Sequence, residues 1–542
     1  MGRKRSSSAV IAEAKTEIAR HFDALRIFQR PQGLAIYHYI AVLEVEALKA
    51  GPDSILCFGA HRSAVESAIH AVPGIMRRCS QEPSAELRID QALFAEAHEL
   101  YRFCHKLEQV EYSLALAEKG RFQVHVSTQD PRITFVYASP ESDSVDTLLR
   151  THELADRMGL SSGRNDLAGQ AAVVQSIREC LERSISILDL ERIEYHYSPE
   201  LTARVADLAR YCTLPEVWEL PPDLQVGAFS MADLRQFWAA VLAMTMTHDI
   251  AHQVASGGDY HKWPIGTIVH LRAKSEWERL LSSVSSLPAA IVSDLLSLHM
   301  FDLALSDRTP AIQPFLKVAT GSFCAPSLFL IGNNFERNFV KLVQRHPRLR
   351  PFADSIKHTK EPLALSQLEL LFPAPTFKVR RQVVIPRVTD ADLVVYERTT
   401  GFVLVVQHKW LIGPDTINES SANDEELSRG VRQARDACAH WRAEPASLRN
   451  ALELAESDPI TALEGVVVSR GAEPTGFMGR TSPPIIGENA FRRLLENSGS
   501  LPSLWTALMA RPDQAATATA FHDGRAILEL AGYEFVIPAL GK

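Results

Sequence analysis

Apolar residues recur at three- and four-residue spacing through most of the first 320 positions. "AVIAEAKTEIARHFDALRIF", "AELRIDQALFAEAHELYRFCHKLEQVEYSLALAEK" and "LAGQAAVVQSIRECLERSISIL" each carry an apolar stripe on a helical repeat and predict helices. Between the second and third, the β-rich runs "FQVHVS" and "ITFVYAS" are joined by "TQDPR". They predict a hairpin near residues 121–138, with Pro131 fixing its turn. The Pro-rich stretch "LPEVWELPPD" at 214–223 reads as a linker, after which "MADLRQFWAAVLAMTMTHDIAHQVA" returns to helix. No internal repeat and no low-complexity tract interrupts this pattern.

The texture changes after about residue 320. "NNFERNFVKLVQRH" predicts a short amphipathic helix, with Phe335, Phe339, Leu342 and Val343 on one face and Pro347 ending it. Three strand-like runs follow, "FKVRRQVVIP", "DADLVVYE" and "GFVLVVQHKW", then a helix at "DEELSRGVRQARDACAHWR". Strands at "LEGVVVSR" and "PIIGEN" lead into a last helix, "AFRRLLEN". The order α-β-β-β-α-β-β-α implies a mixed sheet flanked by helices. The expected fold class is therefore α+β and multi-domain, a mainly helical N-terminal region followed by an α/β domain with a mixed central sheet. The expected boundaries are 1–213, 214–320 and 321–542.

With 542 residues, two to four domains are expected, and 46% hydrophobic with 23% charged residues describes a soluble globular chain. No apolar run reaches the roughly 18 residues a membrane helix needs, so no membrane partner is expected. The start, "MGRKRSSSAVIAEAK", lacks the apolar core of a secretory signal and formally matches a myristoylation pattern at Gly2 and Ser6. Arg3, Lys4 and Arg5 read instead as a solvated terminus. The seven cysteines are scattered, with no C-x-x-C pair, which points to a reducing cytoplasm and away from a structural zinc site. Net charge is −8, yet residues 337–387 hold eleven Lys or Arg against three acids, a local +8. Such an island is the expected footprint of a polyanion.

The run "TDADLVVYERTTGFVLVVQHKW" sets Asp392 at the head of one apolar strand and Gln407, His408 and Lys409 at the end of the next. Side chains alternate along a strand, so Gln407 and Lys409 share a face and His408 takes the other. A hairpin turning symmetrically about Thr399 and Thr400, with Gly401 relieving the bend, sets Asp392 opposite Gln407, Cβ atoms about 5 Å apart. A carboxylate and a carboxamide oxygen at that distance can share one hard cation. The competing reading is a plain sheet edge.

These residues resemble the PD-(D/E)XK nuclease superfamily, the restriction-endonuclease-like fold, over roughly residues 325 to 500. The family pattern is a helix bearing Glu, an Asp opening one strand, and Glu or Gln-x-Lys on the next. Here it falls on Glu336 in "NNFERNF", Asp392 in "DADLVVY" and Gln407 with Lys409 in "VVQHKW", with Gln433 in "GVRQARDA" as the assisting glutamine of the following helix. Most members carry Glu where this chain has Gln407. The resemblance implies Mg²⁺, with Mn²⁺ able to substitute, held by Asp392, the Gln407 carboxamide and the His408 main-chain carbonyl, while Glu336 serves a second ion. It further implies that Lys409 orients water and stabilises the phosphate, and that Arg380 and Arg381 are nucleic-acid contacts. The activity implied is an endonuclease on nucleic acid, double-stranded DNA first, in restriction or defence, with a homodimer as a further assembly. The alternative is a catalytically decayed member that binds nucleic acid or acts as a scaffold.

A second constellation lies in "THDIAH", where His248 and His252 share a helix face beside Asp249, with His261 shortly after. This spacing suits a transition metal. No zincin Glu accompanies it, so hydrogen-bonded histidines at a domain surface are the expectation. The tryptophans between residues 218 and 277 are expected in packing.

Overall fold

β-Branched and aromatic residues recur through three consecutive runs after residue 376, and each becomes a nine-residue strand: β3 (Phe377–Ile385), β4 (Thr389–Glu397) and β5 (Phe402–Trp410). The structure is a computed structural model. It describes residues 7–49, 58–81, 87–120, 122–127, 130–137, 167–189, 192–212, 220–305, 310–319, 321–330, 335–411, 417–471, 481–510 and 525–538. The myristoylation match at Gly2 and Ser6, the basic start, and residues 214–219 of the expected linker lie outside these.

Ahead of the strands come α1 (Ser7–Asp23), α2 (Phe58–Arg78), α3 (Gln91–Glu118), the antiparallel hairpin β1 (Phe122–Val126) and β2 (Arg132–Tyr137), and α4 (Met231–Ala255). Ser230 starts α4 with a reciprocal cap, its side chain accepting from Asp233 N while the Asp233 carboxylate accepts from Ser230 N. α5 (Phe335–Arg345) and α6 (Ala353–Glu369) precede the sheet. α7 (Ile417–Ala443) then crosses over to β6 (Ala462–Arg470), followed by β7 (Ile485–Gly487), α8 (Glu488–Ser498) and α9 (Leu501–Met509). The fold is mixed α+β with a helical N-terminal region, as expected.

The five strands run in the order β3-β4-β5-β6-β7, the first three antiparallel and the last two parallel to their neighbours. A parallel step needs a long crossover, and α7 supplies it between β5 and β6. Alternation sorts the side chains. Val394, Tyr396, Val403 and Val405 pack on Ala437, Cys438 and Trp441 of α7. Leu393, Val395, Leu404 and Val406 pack on the opposite side against Leu368, Phe491 and Leu504 from α6, α8 and α9. Three layers result, and the apolar residues of the hairpin from Ala391 to Val406 are all buried on one face or the other. Gly401 closes the β4–β5 turn at φ +70, where a β-carbon would stand 2.6 Å from the Pro459 carbonyl oxygen.

The expected boundaries do not survive. Strands Leu316–Ala319 and Ser322–Cys324 pair with each other across position 320, and Ser322–Cys324 also pairs with Leu271–Ala273. A single core runs from Ile177 to Ile356, through both sides of the expected 213/214 break. α5 belongs to that core: Phe335 stacks on Trp238 at 4.1 Å between ring centroids. At the far end, β8 (Arg525–Leu530) and β9 (Tyr533–Pro538) leave the α/β unit, and β9 pairs in parallel with β2, Phe535 opposite Ile133. The α/β unit therefore spans 353–510, and the last strands complete the N-terminal sheet. No helix among the described residues is long and apolar enough to cross a membrane.

Candidate active site

Backbone pairing fails on both sides of Asp392, and its carboxylate fills one gap. Toward β5 the ladder stops at Leu393↔Val406; one further step sets Asp392 opposite Gln407, the register expected. Toward β3 the pairs run Arg381↔Leu393 and then Val383↔Ala391. Gln382, between them, is left-handed at φ +49, a backbone conformation that costs energy outside glycine and clusters at functional sites. Asp392 Oδ2 accepts the His408 amide at 2.7 Å in place of a strand partner. N–H and C=O of one strand residue point to the same side. The His408 carbonyl is thereby turned toward β4, where the ladder has ended.

Gln407 performs a similar closure. It is fully buried, and its Nε2 donates to the Asp390 carbonyl at 2.5 Å. That bond consumes one end of the amide. The other end, Oε1, is buried with no hydrogen-bond partner. Buried acceptors are rarely left so, and each costs about 1–3 kcal/mol. Lys409 extends along the same face, and its Nζ donates to Gln433 Oε1 of α7 at 2.8 Å. Gln433 Nε2 in turn donates to Asp390 Oδ1 at 2.9 Å. The lysine stem passes beneath α7 at Gly430, where a β-carbon would lie 3.0 Å from Lys409 Cε and 3.2 Å from Val467 Cγ1. A tether of three side chains thus fixes the ammonium beside two aspartates.

Burial pushes the Asp392 carboxyl above its ordinary range. The His408 amide and the Lys409 ammonium pull it back, while the charges of Asp390 and Glu361 raise it further. Glu361 was not anticipated. It lies on α6, exposed, and is the helix carboxylate that acts on Asp392. Glu336, expected in that role, is elsewhere: its Oε1 accepts the Leu220 amide within the helical core, and its charge partly offsets the burial that lowers the pKa of Arg235. The reason is packing. α5 buries its apolar face, Phe335 and Phe339 included, in the helical body and carries Glu336 with it. The signal for Glu361 was position, since α6 is the helix directly before β3, but Pro362 inside it disguised the helix.

The basic island also changes meaning on folding. Arg380 pairs with Glu453, and Arg381 donates to both Glu369 and Ser366. Successive residues on a strand face opposite ways, so the two expected phosphate contacts diverge and both are committed to carboxylates. Lys378 donates to the Glu453 carbonyl at 2.7 Å, Arg348 pairs with Asp294, and Arg337 and Lys341 are buried. On the other face of β5, His408 Nε2 lies 3.5 Å from the buried Glu488, which also pairs with Arg492 at 3.4 Å.

The histidines of α4 do not form a second centre. His248 Nε2 and His252 Nε2 both donate to the Thr267 carbonyl, at 2.9 and 3.0 Å, and the Tyr195 hydroxyl donates to His248 Nδ1 at 2.9 Å. A carbonyl only accepts, so both Nε2 atoms carry their protons and offer no lone pair to a metal. They are buried rather than at a surface, and His270 stacks on His248 at 4.6 Å. Burial holds His252 and His299 down to about 4 and His248 and His270 well below their usual range.

This has a pH signature. An unfolded histidine takes a proton near pH 6.5 and these do not, so the unfolded state binds more protons as pH falls toward 4 and stability drops through that window. His252 alone accounts for about 3 kcal/mol at the acid end. Glu44 works oppositely. Buried against Ser327, it is raised to about 7, so its contribution is complete below about 4.5 and is lost as pH rises through 7. Thermal melts from pH 4.5 to 8.5 should peak between about 6 and 7. Glu44→Gln removes an opposing slope between about pH 4.5 and 7 and should steepen the rise in stability toward pH 6.5; an unchanged slope in that window would refute this assignment.

Comparison with family models, with curated proteins and with solved structures gives no match.

Proposed function

We propose that the chain is a metal-dependent endonuclease hydrolysing phosphodiester bonds in DNA, with a restriction-endonuclease-like unit over residues 353–510. The observation that carries this reading is the orphaned Gln407 Oε1 beside the Asp392 carboxylate. Sheet-edge capping accounts for Gln407 Nε2 and for Asp392 Oδ2, but it leaves that oxygen without purpose. A hard cation prefers several oxygen donors; Asp392, Gln407 Oε1 and the His408 carbonyl lie at this edge, and the charge of Glu361 reaches Asp392. A cation held by them supplies Lewis-acid charge to a bound phosphodiester.

The chain's own groups do the remainder. Lys409, oriented by Gln433, offers its ammonium to charge developing on the phosphoryl oxygens and steadies the attacking water. Asp390 holds Gln433 and so fixes the lysine's direction. Layered helices on both faces exclude water from the strand ends behind the site, which strengthens each of these interactions.

Supercoiled plasmid with Mg²⁺ is the test. Nicking or linearisation should appear, vanish on chelation, and fall by roughly 10²–10³-fold in Asp392→Asn and Glu361→Gln. Glu336→Gln should keep its turnover and lower only the melting temperature, because its partner is the Leu220 amide. No cleavage by wild-type protein with Mg²⁺ or Mn²⁺, together with metal binding unaltered by Asp392→Asn, would leave a non-catalytic binding module.

A further inference from the structure

Away from the sheet, α1, α2 and α3 enclose a groove of about 500 Å³. Its floor is apolar, formed by Ile18, Phe22, Leu107, Val110 and Leu114, and one wall carries His70 and Glu111. His70 projects from α2 toward α3, where Glu108 and Glu111 stand three residues apart on one helix face. The His70 side chain is only 8% exposed; its Nε2 is 2.6 Å from Glu108 Oε2 and 3.7 Å from Glu111 Oε2.

Hydrogen bonding explains half of this. Nε2 carries at most one proton and can serve one carboxylate, yet two converge on it. Like charges at this helical spacing repel, and no lysine or arginine pairs with either glutamate among the described residues. The three ligand atoms lie within 4.8 Å of one another, the only such group of His, Cys, Asp and Glu among the described residues. Bonds of 2.0–2.1 Å to a tetrahedral zinc ion imply ligand separations of roughly 3.3 Å. The Glu111 contact is already near that value, and the Glu108 contact needs to open by less than about 1 Å.

We infer that His70, Glu108 and Glu111 form a binding site for a first-row divalent transition cation, Zn²⁺ foremost, with its open coordination positions facing the groove. An imidazole among the donors selects zinc-like ions over Mg²⁺ and Ca²⁺, which prefer all-oxygen sets. Three protein donors with an open position form the arrangement that accepts an exogenous ligand, and the groove gives that ligand an apolar bed. This site is independent of the nuclease reading, because none of its residues belongs to the 353–510 unit.

Isothermal titration of Zn²⁺ into chelator-stripped, dialysed full-length protein tests it. Asp392→Asn, which removes the sheet-edge carboxylate, should still bind one zinc per chain, and His70→Ala and Glu111→Gln are made in that background. His70→Ala should abolish that equivalent, and Glu111→Gln, at a half-exposed position, should weaken it about tenfold or more while the melting temperature holds. If His70→Ala fails to fold, Glu111→Gln decides alone. Absence of micromolar zinc binding in wild type, or full zinc affinity in folded His70→Ala or in Glu111→Gln, overturns the proposal.

Discussion

Lys409→Ala should reduce cleavage by roughly 10²–10³-fold while leaving DNA affinity almost unchanged. The ammonium is half-buried, held at 2.8 Å by Gln433, and stands on the Asp392 face of β5, so it meets a phosphate only when one is seated at that edge. Its charge then matters most where negative charge grows, in the transition state. Lys409→Met, which keeps the stem under Gly430, should lose as much activity and less stability than alanine. Lys409→Arg should not rescue, because the planar guanidinium is wider than the stem that clears Gly430 and Val467. Filter binding and single-turnover cleavage on the same DNA separate the cases. An equal loss of affinity and turnover would make Lys409 a binding residue and remove it from the chemistry.

Gln407→Glu should be the most revealing change in the chain. The amide hydrogen now given to the Asp390 carbonyl disappears, and a second carboxylate is buried beside Asp392. Without metal, an uncompensated buried charge costs about 3–5 kcal/mol, and the variant should be that much less stable than wild type at pH 8. Two conditions should restore it: mild acid, which protonates the new carboxyl and returns a donor toward Asp390, and Mg²⁺, which compensates both charges. Metal that binds only the folded state adds stability with its concentration, and the gain should be larger in the variant than in wild type. Denaturant melts of both proteins, with Mg²⁺ and with chelator, decide it. If Mg²⁺ stabilises neither protein, no cation sits between Asp392 and Gln407, and the proposed activity loses its footing.

What the sequence made legible is what local geometry determines. The β4–β5 register follows from strict alternation and a short turn, so the Asp392–Gln407 pairing and the shared face of Gln407 and Lys409 could be read from the residues alone. Gln433 came from the family resemblance rather than from local geometry, and it lies on the crossover helix that returns over that face. Glu336 lies in the helical core and not at the sheet edge because helix periodicity says which face is apolar but not which core receives it. Arg380 and Arg381 looked free in sequence because charge counting ignores folded neighbours. Glu453 lies more than seventy positions downstream, and Glu369 is brought back by the turn between α6 and β3. The α4 histidines show the same limit, as their partner Thr267 sits beyond the helix end.

The pairing of β9 with β2 makes the order of synthesis a physical variable. Ile133 and Phe135 lie on a strand whose edge is covered by residues near 535, about four hundred positions later. At ribosomal rates of 5–20 residues per second, that edge waits roughly 20 to 80 s for its neighbour. The 353–510 unit, whose five strands are all drawn from its own span, is itself fully made roughly 1–5 s before that neighbour. The nascent chain thus carries a fully synthesised sheet at its growing end and an open one near its beginning. An open strand edge invites foreign strands. Chaperone dependence, translation pausing and chain release should therefore govern the yield of this protein more than the stability of its finished fold.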